Sequence, residues 1–175
     1  MKILINHMLL LPLLLYGQSD IDNATAKHLE KIIDMRHQIH QNPELGNREF
    51  KTAEMVADHL RSLDFDEVKT AVAHTGVIGI LKGGKPGGVV AVRADMDGLP
   101  VTEDTDLPFK STVRTTFLEK EVGVMHACGH DIHTSVQLGV AAVLASIRDE
   151  IPGTVKFIFQ TARKDRRRAK KGAPT

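Results

Sequence analysis

Tryptophan is absent and tyrosine occurs once, so aromatic side chains make up only 4% of the 175 residues. That leaves little material for the stacking platforms on which single-stranded nucleic acids bind. Cysteine is as scarce. With Cys128 alone no internal disulfide can form, and its role is that of a thiol, a metal ligand or an intermolecular partner. Long apolar runs are missing too. The longest, Ile3 to Tyr16, falls short of the roughly 20 apolar residues that a bilayer-spanning helix needs.

The remaining composition is that of an ordinary globular domain, with 42% hydrophobic and 26% charged residues. The length suits one domain with a real core and hardly two. The net charge of +1 conceals an asymmetry: residues 163–171 hold seven basic side chains and one acid, so the rest of the chain is mildly acidic. Seven cations would give a salt-dependent affinity for phosphates. The run contains no aromatic, however, and it lacks the other marks of nucleic-acid recognition.

The opening "MKILINHMLLLPLLLYGQSD" pairs Lys2 with a short apolar stretch, which suits a signal peptide over residues 1–17, cleaved after Gly17. The expectation is a secreted or periplasmic protein with no membrane attachment after cleavage; the alternative is an N-terminal buried helix. Apolar residues at helical spacing (Leu29, Ile32, Ile33, Ile39) predict an amphipathic helix from Ala24 to about Gln41, ended by Pro43 and Gly46. A second helix is predicted from Glu49 to Leu63. Three strands follow, Glu67 to Val72, Gly76 to Lys82 and Gly88 to Ala94, the last two joined by "KGGKPGG" as a hairpin. An apolar helix lies between Asp131 and Ile147, and "TVKFIFQ" reads as a further strand. The alternation predicts an α/β architecture, a sheet with helices packed on it.

Two stretches carry chemistry. In "HACGHD", a thiol, two imidazoles and a carboxylate sit within six residues at the entry to a helix, and Gly129 lets Cys128 and His130 converge on one ion. Zinc accepts S and N ligands, and an added carboxylate suits manganese or cobalt as well. The spacing alone is equally compatible with a small buried cysteine among surface histidines. In "VRADMDGLPV" an apolar strand ends in Asp95 and Asp97, at the strand end where α/β sheets handle ligands. An aspartate there can receive the N–H of a metal-bound imidazole, although solvated turn aspartates are also common at such positions.

Taken in order, "MRHQIHQNPELGNREFKTAEMVADHL", "HTGVIGILKGGKPGGVVAVRADMDGLPV", "GVMHACGHDIHTS" and "GTVKFIFQ" resemble successive blocks of one family. It is the metal-dependent amidohydrolase family of hippurate hydrolases, aminoacylase-like enzymes and auxin-conjugate hydrolases, and the resemblance covers about residues 30–160. It implies an α/β zinc-peptidase-like catalytic domain, a mixed sheet flanked by helices, of which residues 18–160 form the N-terminal part. It also implies two divalent metal ions (zinc, manganese or cobalt), and N-acyl amino acids or small peptides as substrates. Members carry a separate lid domain, through which they often form homodimers, and this chain is expected to lack it. By the resemblance Cys128 and His130 are metal ligands, and Asp97 orients a ligand from behind.

The chain departs from the family directly after "FIFQ". There the family runs into Pro-Ala-Glu-Glu, whose glutamates act as general base and metal ligand, whereas this chain has Thr161, Ala162, Arg163 and Lys164. Two cations can neither accept the proton nor bind a cation. The general base is therefore absent, and the chain is expected to be a truncated, inactive form. Its missing strands would leave an exposed apolar edge and poor stability. Read one nucleotide out of register, the basic tail of residues 161–175 can encode an acidic, glycine-rich run like the family's, so a frame slip near codons 161–163 is expected. The alternatives are a non-catalytic metal-binding remnant, or a basic-tailed module for anions or nucleic acid.

Overall fold

The computed structural model describes residues 10–161, with side chains from Asp20 onward. The first residues of the expected signal peptide, and the basic tail after Thr161, lie outside the described residues.

The chain begins with α1 (Leu10–Gln41), followed by α2 (Phe50–Ser62). Strands β1 (Glu67–Val72), β2 (Gly76–Lys82) and β3 (Lys85–Asp95) come next, then a two-stranded ribbon of β4 (Arg114–Phe117) and β5 (Lys120–Gly123). Helix α3 (His130–Ser146), a short 3-10 turn and β6 (Pro152–Gln160) complete it. The first helix continues through the expected start at Ala24 back to Leu10. No helix among the described residues is long and apolar enough to cross a membrane.

The main sheet has the order β1-β2-β6-β3. Strand β2 runs antiparallel to both β1 and β6, while β3 runs parallel to β6, so the sheet is mixed. This corrects the hairpin expected between β2 and β3, because β6 lies between them. "KGGKPGG" instead wraps the start of β6: the Gly83 amide donates to the Gly153 carbonyl (2.7 Å) and the Lys85 amide to that of Ile151 (3.1 Å). The physical reason is burial. Phe157 and Phe159 of β6 are fully enclosed, which requires a neighbour on each side of that strand.

Helix α2 turns Ala53, Val56, Ala57 and Leu60 toward the sheet. It comes so close that a Cβ on Gly79 would sit 2.8 Å from Leu60 Cδ1. Helix α3 contributes Leu138 and Ala141 to the same core, and α1 contributes Met35. The outer strand β3 is different. From Lys85 to Ala91 every residue is exposed, Val89 to 72% and Val90 to 61%. It is one of the two edges of the sheet.

Candidate metal centre

The parallel pairing of β3 with β6 brings the end of β3 beside the start of α3. Thr134 Oγ1 donates to the Asp95 carbonyl at 3.0 Å, and the Met96 amide donates to the Gln160 carbonyl at 3.2 Å. Met96 itself is buried, so the aspartates on either side of it point away from the core. Helix α3 is entered through Gly129 at φ +73°. A Cβ there would meet nothing within 4 Å, so the left-handed backbone, and not lack of space, is what calls for glycine. Asp131 lies in the first helical turn, where the helix dipole favours a negative charge.

Three donor groups gather at this junction: one ligand atom each from Asp95, His130 and His133, all within 4.8 Å of one another. His130 and His133 are three residues apart on one helix and therefore share a face. Their rings stack with centroids 5.5 Å apart. Zinc holds nitrogen and oxygen ligands tetrahedrally at about 2.0–2.2 Å, so donor atoms on one ion stand roughly 3.4 Å apart. The gathered atoms would have to draw closer around an ion, and two imidazoles with one carboxylate suit a borderline divalent ion. The residues fit the group.

His130 is held from behind. Its Nδ1 lies 3.0 Å from both the carbonyl oxygen and Oδ1 of Asp97. Both are acceptors, so Nδ1 carries the proton and the Nε2 lone pair is left for a ligand role. Burial pushes the Asp97 carboxyl above its ordinary range; the His130 ring opposes this, and Glu49 adds to it. Asp95 is braced by the Arg93 guanidinium.

Of the residues singled out in the sequence, His130 lies in the gathered group and Asp97 touches it, while Cys128 is an exposed free thiol in the turn before α3 and outside that group. Asp95 and His133 join it, and the only sequence signal for His133 was its i,i+3 spacing from His130. His40, on α1, had no role assigned from the sequence. It is buried between two carboxylates, at 2.8 Å from Asp131 and 3.1 Å from Glu103.

Two further buried polar groups surround the centre. His126 is 4% exposed, and neither ring nitrogen has a hydrogen-bond partner in the strict geometric sense among the described residues. Burial pushes its imidazole down to about 4, against the pull of Asp131, so it is neutral at physiological pH. Glu49, fully buried, accepts the hydroxyl of Thr75 at 2.5 Å and that of Thr161 at 2.9 Å. Thr161 directly follows β6, so the carboxylate ties the end of that strand to the start of α2.

The sequence matches known proteins over the same region. Residues 91–162 match the model of the peptidase family M20/M25/M40. Thermostable carboxypeptidase 2 of Saccharolobus solfataricus is 46% identical over 134 residues, 77% of this chain and 32% of that protein. N-acetylcysteine deacetylase of Bacillus subtilis is 42% identical over 132 residues, 75% of this chain and 33% of that protein. Among solved structures, the Bacillus subtilis YXEP protein, described as a dinuclear metal-binding peptidase of the M20 family, is 42% identical with a TM-score of 0.67. That match covers 76% of this chain and 35% of that one. The chain thus spans about one third of the length of these relatives. Motifs, fold and matches agree, and the chain belongs to the M20 family of amidohydrolases and peptidases.

Proposed function

We propose that this chain carries the metal-holding part of an amidohydrolase site whose substrates are N-acyl amino acids or short peptides. The observation that carries the reading is the His130 ring, fixed at Nδ1 by Asp97 and gathered with Asp95 and His133. A divalent ion bound there supplies Lewis-acid polarisation of an amide carbonyl and activation of water as a nucleophile. The chain's own residues prepare the place. Asp97 keeps the His130 proton on Nδ1, Arg93 orients Asp95, and Cys128 in the exposed turn before α3 is the further ligand that the family motif suggests. Two ions, as the YXEP protein's description names for itself, would need more ligands than these. The substrate class is supported by the names of the relatives, a deacetylase of an N-acetyl amino acid and a carboxypeptidase.

The same reading holds the 175-residue chain to be inactive, because Arg163 and Lys164 stand where the family places its general base and next metal ligand. The test is an assay of the purified chain against N-acetyl amino acids and hippurate with added zinc, manganese or cobalt, alongside equilibrium dialysis for bound metal. Bound metal without hydrolysis agrees with the reading. Chelator-sensitive hydrolysis overturns the inactivity, and no bound metal overturns the metal centre. Export from the cytoplasm is proposed on Lys2 and the apolar stretch Ile3 to Tyr16, and a reporter fused after residue 30 that stays inside the cell would refute it.

A further inference from the structure

We propose that His40 is a positioning residue for the metal centre: clamped between Asp131 and Glu103, it sets the first turn of α3 and with it the direction of His130. The inference rests on the metal reading given above.

His40 lies on α1, 91 residues from Asp131 and 63 from Glu103, and is 5% exposed. Its Nδ1 is 2.8 Å from Asp131 Oδ2 and its Nε2 is 3.1 Å from Glu103 Oε1. Each ring nitrogen thus faces a carboxylate oxygen, so the ring bridges the two acidic side chains. Neither carboxylate relies on His40 alone. Asp131, 1% exposed, also takes Arg36 Nε at 3.1 Å. Glu103 also takes the Ser111 amide at 2.6 Å and the Thr105 hydroxyl at 2.7 Å. Burial pushes the Glu103 carboxyl up, but those donors and His40 outweigh it and hold it below its ordinary range. Phe109 roofs the cluster, stacked on His37 at 3.8 Å and edge-on to His40 at 5.5 Å.

Asp131 is the residue after His130, and both lie in the opening turn of α3. Holding the Asp131 side chain from α1 fixes how that turn is rotated about its axis. His130 and His133 then have only one direction to face. Asp97 grips His130 from the sheet, and His40 sets it from the opposite helix through Asp131. A buried ionic cluster of this kind adds little net stability over an apolar filling, because desolvation offsets the attraction. One geometry for a ligand-bearing turn is what it can supply, and outer partners of metal ligands commonly change affinity about 10- to 100-fold when removed.

The test is a cobalt(II) titration of the 175-residue chain, read by its visible ligand-field bands, with thermal unfolding of the metal-free form measured in parallel. His40→Gln can donate to only one carboxylate; it is expected to weaken cobalt binding about 10- to 100-fold and to shift the bands, measured on the folded fraction. Glu103→Gln removes the outer charge, leaves the contact with Asp131, and is expected to weaken binding a few-fold with a cooperative transition retained. If both variants bind cobalt with the wild-type affinity and spectrum, His40 is a structural residue only and the inference is overturned. If His40→Gln does not fold, the Glu103→Gln result decides by the same criterion. A wild-type chain without cobalt bands removes the metal centre itself, a failure distinct from a wild type that binds and variants that bind equally well.

Discussion

Strands β6 and β3 are neighbours and look alike as sequence, "TVKFIFQ" against "GGVVAVRAD", yet one is paired on both sides and the other on one side only. Phe157 and Phe159 of β6 are completely buried between β2, β3 and the helices, whereas Val89 and Val90 of β3 face solvent. The difference comes from position and not from composition. An apolar strand is buried by what lies beside it, and β3 has a partner on one side only. The enclosed half of the molecule carries stability. The open half ends in Asp95 and carries the proposed metal centre.

That division predicts where substitutions act. Phe157→Ala is expected to cost about 3–5 kcal/mol, enough to unfold a marginal domain, and urea denaturation measures it. A loss below about 1 kcal/mol would mean that β6 is not the core strand. Acid comes next. Burial, with Lys31 nearby, pushes the His59 imidazole on α2 down to about 4 from 6.5. The folded state then binds its proton later than the unfolded chain does, so this stability is complete above about pH 6.5 and is lost as pH falls toward 4. The full effect is about 3 kcal/mol. His59→Gln should flatten that part of the pH–stability curve, and an unchanged curve would place the acid sensitivity elsewhere.

The open edge gives smaller effects. Val90→Lys should change unfolding stability by no more than about 0.5 kcal/mol. It should at the same time lower self-association in light scattering, since a lysine on an exposed strand edge opposes edge pairing. His130→Ala should leave the melting temperature nearly untouched and remove cobalt binding. A large stability loss there would show that the two halves are not separable.

Much of the local structure was legible. Strands Glu67–Val72 and Gly76–Lys82 fall where alternation and turn residues put them, and α2 lies within one residue of its predicted span. The ribbon of β4 and β5 was missed, because each strand is only four residues long and solvent-facing, too short for a period to show. The hairpin expectation failed because turn chemistry reports that a chain bends and not which strand it then lies beside. His40 gave no sequence signal, since its partners are 63 and 91 residues away.

What the sequence by itself determined is the chemistry available: a strand end with two aspartates, Cys128 just before a glycine-entered helix bearing His130 and His133, and a family whose motifs those are. Periodicity and turn residues are local, so they survive in a one-dimensional reading. The tertiary structure decided which of these groups meet. It set β6 between β2 and β3, brought Asp95 within reach of two histidines, and buried His40 against α3. Those choices follow from burying apolar side chains and satisfying buried polar groups, and both are properties of the whole packed chain.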